Sequence, residues 1–227
     1  MKTLLLIRHA KSSRDDIALP DKDRPLDERG KRDAPKMAER LAKRDLKPDL
    51  ILSSPARRAL TTAQIFARKL DYERKDIVVD VRLYAAAVDD LLEVIYGLQD
   101  KLDRVALFGH NPELSALAHR LSSEIADMPT CAVAEFTFNA EAWSNIGKAT
   151  LEKVTLDYPK KPVGSPWHQG LAVATIAKAR IHGSAYSRCR SWVTRESGRS
   201  APHAQCVRRT EGNQSVHAEL HLELAEG

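Results

Sequence analysis

Apolar positions along the chain fall into two recurring patterns: short uninterrupted runs, and longer stretches in which they return every three or four residues. Residues 3–9 (TLLLIRH) show no polar alternation until the end, the mark of a strand buried on both faces of a parallel sheet. The segment that follows, KSSRDDIALPDKDRPLD, is polar with two prolines and reads as a loop. Ala34, Met37, Ala38, Leu41 and Ala42 then share one helical face, and Asp27 is placed to cap that helix. Pro35 is expected to disturb its first turns, because proline removes a backbone donor.

The same order of elements recurs. A strand over residues 49–53, a turn at Pro55 and a helix to about Leu70 are followed by the period-2 run IVVDVRL. Val88, Leu91, Leu92, Ile95 and Leu98 line one face of a helix in VDDLLEVIYGLQDKL. RVALFGHNPELSALAHRLSS is again an apolar strand that ends on polar groups and opens into a helix, with Pro112 suited to its start. VAEFTF and ATLEKVTLDY alternate apolar and polar residues, as strands at an antiparallel edge would. Together these predict a three-layer α/β/α sandwich, with a mainly parallel sheet and an antiparallel edge strand.

The character of the chain changes after Lys161. From Val163 onward there is no aspartate and one lysine, while arginine carries nearly all the positive charge and five of the eight histidines occur. We therefore divide the chain into a domain over residues 1–161 and an atypical extension over 162–227, expected to be disordered or loosely structured. The extension has eight basic and five acidic residues and so contributes +3 of the net charge of +5. The basic balance is largely a property of the tail.

Within the first 161 residues, basic and acidic groups are interleaved, as in DERGKRDAPKMAERLAKRD, which reads as a solvated helix face and argues against a nucleic-acid partner. No stretch of about 18 apolar residues is present to span a bilayer, and the N-terminal apolar run is too short for a signal-peptide core. The expectation is a cytoplasmic protein with no membrane partner. Cys131, Cys189 and Cys206 are widely spaced, suggesting neither a disulfide framework nor a zinc site.

Three predicted strands end in polar groups that are costly to bury: Arg8 and His9; Ser53, Ser54 and, just beyond, Arg58; His110 and Asn111. Ligands of open α/β sheets bind at the carboxyl ends of strands, so groups about 100 residues apart can converge there. Two arginines and two histidines around one point suit a doubly negative tetrahedral group, because the guanidinium is a rigid fork of donors that keeps its charge. A neutral imidazole nitrogen can in addition attack phosphorus, provided its other nitrogen is held by a hydrogen bond.

The residues at these strand ends, Arg8-His9-Ala10, Ser54-Pro55-Ala56-Arg57-Arg58-Ala59 with Thr62-Ala63, and Gly109-His110-Asn111-Pro112, resemble those of the histidine phosphatase superfamily, the phosphoglycerate mutase-like fold. RHAKSS, DRPLDERG, PDLILSSPARRA, RLY, GHNPEL and DYPK, in that order over about residues 1–161, resemble most its SixA-type phosphohistidine phosphatase branch. The resemblance implies that His9 is the nucleophile, that Arg8 and Arg58 bind phosphoryl oxygens, and that His110 donates a hydrogen bond to the transferring group. Arg58 rather than Arg57 aligns with the family arginine, and Ala10 stands where the wider superfamily has glycine. Ser12, in RHAKSS, and Asn111, in GHNPEL, are further candidates for substrate binding.

Larger members of the superfamily use an acidic residue to protonate an alcohol leaving group. Asp89, Asp90 and Glu113 are the candidates here, and each sits where a helix start would use it as a capping carboxylate. Without such an acid, a phosphoramidate is the better substrate, since imidazole leaves a phosphorus–nitrogen bond as a near-neutral group. The expected activity is a phosphohistidine phosphatase acting through a covalent enzyme phosphohistidine, its partner a phosphohistidine-bearing protein such as a phosphotransfer protein. The alternatives are a small-molecule phosphomonoesterase of the same superfamily and a non-catalytic phosphoryl-binding module. No cofactor is expected and no metal, since two tail histidines four residues apart do not define a metal site.

Overall fold

The opening apolar run becomes β1 (Lys2–Arg8), the strand on which the two halves of the sheet meet. The computed structural model of the protein describes residues 1–161 and Leu171–Ala172. Three further strands, β2 (Leu50–Ser53), β3 (Val78–Val79) and β4 (Arg104–Gly109), lie parallel to β1 on one side. Beyond its other edge, β5 (Val133–Asn139), β6 (Thr150–Asp157) and β7 (Leu171–Ala172) pair antiparallel. The seven-stranded order is β3-β2-β4-β1-β5-β6-β7.

Both faces of β1 are buried because side chains alternate across a strand. Leu5 and Ile7 pack with Met37, Leu41 and Phe66 from α1 (Glu28–Ala42) and α2 (Arg57–Lys69). Leu4 and Leu6 pack on the opposite face with Leu91 and Ile95 of α3 (Val88–Tyr96), and with Leu114 and Leu117 of α4 (Glu113–Leu121). The result is the predicted α/β/α sandwich, mainly parallel with an antiparallel flank.

Two local expectations are corrected. The first helix runs through Pro35 without a break. Its start is fixed by Asp27, whose carboxylate accepts the Gly30 N–H at 2.7 Å, and an interior proline costs about 3 kcal/mol. Burial of Met37 and Leu41, about 1.5–3 kcal/mol each, outweighs that cost. The run IVVDVRL is a strand only at Val78–Val79, exposed at the sheet edge. There Asp80 accepts the Arg82 N–H at 2.9 Å and starts a 3-10 turn over Val81–Leu83, the competition a short polar side chain offers to a ladder.

The expectation of poor order after Lys161 falls on residues outside the described ones, apart from Leu171–Ala172, which pair with Val154 and Lys153. Among the described residues, no helix is long and apolar enough to cross a membrane.

Candidate active site

The lateral order β2-β4-β1 brings three carboxyl ends together. Register pairs Arg8 with Gly109 and Ser53 with Phe108, and the contacts continue one residue beyond the strands. The His9 N–H donates to the Gly109 carbonyl at 3.1 Å, and the Ser54 N–H to the Phe108 carbonyl at 3.0 Å. His110 therefore stands between Ser54 and His9. Its ring centroid is 5.1 Å from that of His9.

The alternation that separates Leu5 and Ile7 from Leu4 and Leu6 also separates Arg8 from His9. His9 meets α2, where Arg58 Nε–H donates to His9 Nε2 at 3.2 Å. Thr62, one turn further along α2, donates its hydroxyl to the Arg58 carbonyl at 2.7 Å and accepts the Ala10 N–H at 3.1 Å. This pins the residue after His9 to the helix that holds Arg58. Arg57, one position earlier, is exposed. Arg8 Nη1 donates to the Met128 carbonyl at 2.7 Å, on the side of α4.

The hydrogen bonds fix where His9 carries its proton and supply an assignment for His110. His9 Nδ1 lies 2.7 Å from the Ala10 carbonyl, which can only accept, so Nδ1 is the donor and Nε2 keeps its lone pair. His110 Nε2 is 2.8 Å from Ser54 Oγ, and that oxygen also accepts the Ala56 N–H at 3.3 Å. The Ser54 hydroxyl proton has no other acceptor among the described residues, so we assign Ser54 as donor to His110 Nε2, which puts the His110 proton on Nδ1. That Nδ1 and Arg8 Nε are buried with no protein acceptor.

Electrostatics keep both rings neutral. Burial, reinforced by the charges of Arg58, Arg8 and Arg24 and opposed by the Ala10 hydrogen bond, lowers the His9 pKa to about 4. Burial lowers His110 to about 3, aided by His9, Arg58 and Arg8 and partly countered by Asp21. Burial also lowers the Arg8 pKa, with Asp127 acting in the other direction, but a guanidinium starts so high that it stays charged.

Ser12 and Asn111, the remaining candidates, turn to protein partners. Ser12 Oγ accepts from Arg24 Nη2 at 2.9 Å. The Asn111 amide donates to Ser115 Oγ at 2.6 Å, to Asp127 Oδ1 at 3.2 Å and to the Met128 carbonyl at 3.1 Å, the carbonyl that Arg8 also uses. Asp90 caps the Ala87 N–H at 2.8 Å, and Asp89 pairs with Arg120. Glu113 opens α4 and makes no side-chain hydrogen bond or ion pair among the described residues.

Sequence reasoning missed the residues that close the site from above: Asp21, Arg24 and Tyr84. Asp21 Oδ2 accepts from Arg58 Nη2 at 2.8 Å and from the Tyr84 hydroxyl at 3.1 Å, and its Oδ1 accepts from Arg24 Nη1 at 2.8 Å. The Tyr84 ring packs edge-on to His110 with centroids 5.6 Å apart. The motifs DRPLDERG and RLY contain Arg24 and Tyr84, a signal that was present; Asp21 lies among six other aspartates and lysines of one polar loop and carries none.

Adjacent strand ends that gather histidines and arginines at the carboxyl edge of a three-layer α/β/α sheet define the phosphoglycerate mutase-like class of proteins. A profile of the histidine phosphatase superfamily (branch 1) matches residues 4–84. An uncharacterized chloroplastic protein of Arabidopsis thaliana is 32% identical over 151 residues, 63% of this chain and 69% of that protein. The Agrobacterium tumefaciens protein assigned as the phosphohistidine phosphatase SixA aligns with a TM-score of 0.58 at 29% identity, covering 67% of this chain and 96% of that one. A SixA-assigned protein of Nakamurella multipartitia shares the fold with a TM-score of 0.60 at 21% identity, covering 70% and 97%. The chain belongs to the histidine phosphatase superfamily and lies near its SixA branch.

Proposed function

We propose that this protein is a phosphohistidine phosphatase: it takes the phosphoryl group from a histidine of a partner protein onto His9 and then gives it to water. The observation that carries the reading is the state of the two rings and the arginine beside them. His9 Nε2 holds a lone pair beside Arg58, the His110 ring lies 5.1 Å from that of His9, and His110 Nδ1 and Arg8 Nε are buried without protein acceptors. A buried donor left unpaired costs about 1–3 kcal/mol, a cost that an anionic ligand would remove.

In the first step the lone pair of His9 Nε2 forms a bond to phosphorus as the phosphorus–nitrogen bond of the substrate breaks. The leaving imidazole takes a solvent proton at its other nitrogen and departs neutral, so no acid is asked of the chain. Arg8, Arg58 and the Nδ1–H of His110 hold the phosphoryl oxygens as charge shifts across them. The His9 Nδ1–H bond to Ala10 keeps the ring oriented and stabilises the charge it acquires. In the second step water attacks the same phosphorus, inorganic phosphate leaves, and His9 Nε2 regains its lone pair. Asn111 supports this site through Met128, the anchor it shares with Arg8; Ser12 supports it through Arg24. The likeness to the Agrobacterium SixA protein, at 29% identity, favours protein phosphohistidine as the substrate class, and a cytoplasmic site of action is part of the same proposal.

The test is turnover and trapping. A phosphohistidine-bearing phosphotransfer domain labelled with ³²P should lose its label, and acid-labile label should be captured on His9 during turnover and vanish in His9→Ala. Label that persists in His9→Ala would overturn the nucleophile; faster turnover of a simple alkyl phosphate than of phosphohistidine would overturn the substrate class.

A further inference from the structure

Each nitrogen of the Arg58 guanidinium is engaged. Its Nε–H goes to His9 Nε2 at 3.2 Å, its Nη1 to the Asp21 carbonyl at 2.5 Å and its Nη2 to Asp21 Oδ2 at 2.8 Å. The Asp21 carboxylate in turn collects two arginines and a phenol, from Arg58, Arg24 and Tyr84. Two guanidinium groups and a hydroxyl around one anion form a donor set suited to phosphate oxygens. Here the protein fills it with its own carboxylate.

We propose that Asp21 is a tethered internal anion that occupies the oxyanion-binding face of Arg58 and must be displaced by the incoming phosphoryl group, and so determines which anions the site admits. The inference rests on the reading of this cluster as a phosphoryl site and adds a competitor to it. For phosphorus to approach His9 Nε2, the Nε–H of Arg58 must leave that lone pair and turn to a phosphoryl oxygen. A phosphoryl dianion and a carboxylate cannot share the same edge of one guanidinium without like-charge repulsion.

The tether gives the carboxylate a high effective concentration, so a free monoanion with two oxygens gains nothing by replacing it. A tetrahedral dianion brings more charge and a third oxygen, which reaches the unpaired Nδ1–H of His110 and Nε–H of Arg8. The site therefore refuses carboxylates and admits phosphoryl groups. Asp21 can leave because it sits in the 3-10 turn Asp21–Asp23 of a surface loop with half of its side chain exposed. It is ionised at neutral pH: burial would raise its pKa, but hydrogen bonds from Arg58, Arg24 and Tyr84, with the charge of Arg58, hold it at about 2.

Titration calorimetry with tungstate, a tetrahedral dianion, and with acetate tests this on the full chain, using Asp21→Asn, Tyr84→Phe and Arg58→Ala. Asp21→Asn keeps the size and the acceptor oxygen but removes the charge, and should bind tungstate about tenfold more tightly, the direction set by losing one nearby like charge. Acetate should be ignored by the native protein and bound by Asp21→Asn. Tyr84→Phe, which loosens the carboxylate without discharging it, should tighten tungstate binding by a smaller factor. Equal or weaker tungstate binding by Asp21→Asn would overturn the inference and make Asp21 a support for Arg58. Arg58→Ala separates this failure from a deeper one: if it binds tungstate as the native protein does, the phosphoryl-site reading falls, and the role of Asp21 with it.

Discussion

Replacing Ser54 with alanine removes one hydroxyl that nothing in the substrate would touch, yet it should slow the reaction. In the native chain Ser54 Oγ accepts the Ala56 N–H at 3.3 Å, and among the described residues the one acceptor for its own proton is His110 Nε2 at 2.8 Å. With Ser54 donating, the imidazole proton sits on Nδ1, the nitrogen with no protein acceptor. In Ser54→Ala the ring is free to carry its proton on Nε2 and to present a lone pair to the phosphoryl group. A full oxyanion donor is worth about 2.7–4 kcal/mol. The variant can recover part of this by adopting the Nδ1–H tautomer, at the cost of leaving the buried Nε2 without a donor, about 1–3 kcal/mol. The loss should therefore be smaller than that of a donor, about 1.4–2.7 kcal/mol, or roughly 10- to 100-fold in kcat/KM. The assay is a double-mutant cycle with His110→Ala, read with ¹⁵N spectra that separate protonated from bare ring nitrogens. Ser54→Ala should cost nothing further in the His110→Ala background. An undiminished loss there, or a native His110 protonated on Nε2, would refute the reasoning.

Arg58→Ala should lower kcat/KM by at least 10²- to 10³-fold, the scale of a lost oxyanion donor, and Arg57→Ala, exposed one residue away, by less than about threefold; equal losses would undo the assignment. The activity of the free enzyme should survive acidification to near pH 4, because His9 is lowered from 6.5 to about 4 and keeps its lone pair until then; an acid limb at 6.5 in kcat/KM would contradict this. Stability should move the other way over the same range. Between pH 6.5 and about 4 the unfolded chain protonates histidines that the folded chain keeps neutral, so stability falls as pH falls, by up to about 1.4 kcal/mol per pH unit for each of His9 and His110. Urea midpoints at pH 7.5 and 5 measure it. Gly30→Ala places a Cβ 2.1 Å from the Lys11 carbonyl, and the forced shift should destabilise the fold by about 1–3 kcal/mol in urea unfolding, with loss of activity because the segment after His9 moves.

The strand ends were legible because a parallel strand buried on both faces has little reason to stop on arginine or histidine unless a ligand meets it there. Arg8, His9 and His110 stand out in this way without any knowledge of which strands are neighbours. The lateral order was not legible, since β2 and β1 are both paired to β4, which comes later in the chain than either, and no local pattern states that choice. Ser54 shows the consequence. Its hydroxyl determines the tautomer of His110 only because β4 lies between β1 and β2. Pro35 and Asp80 mark the opposite failure, where a local preference was read correctly but tertiary burial overrode the first and an Asx-type turn cut short a strand at the second.

The question of a proton donor turns on the same distinction between local and tertiary signals. Asp89 and Asp90 read as helix-capping groups, and the fold uses Asp90 to cap Ala87 and Asp89 to pair with Arg120. Asp21 is the carboxylate that contacts the cluster, but the two arginines that bring it there also hold it ionised near pH 2 and above. A carboxylate in that state has no proton to give at neutral pH, and freeing one would require breaking the contacts that keep it in place. The arrangement that draws an acidic residue to the site is thus the one that disables it as an acid. On the proposed reading, the described residues around His9 supply charge, orientation and a nucleophile, and the leaving group best matched to that supply is one that carries its own basic nitrogen.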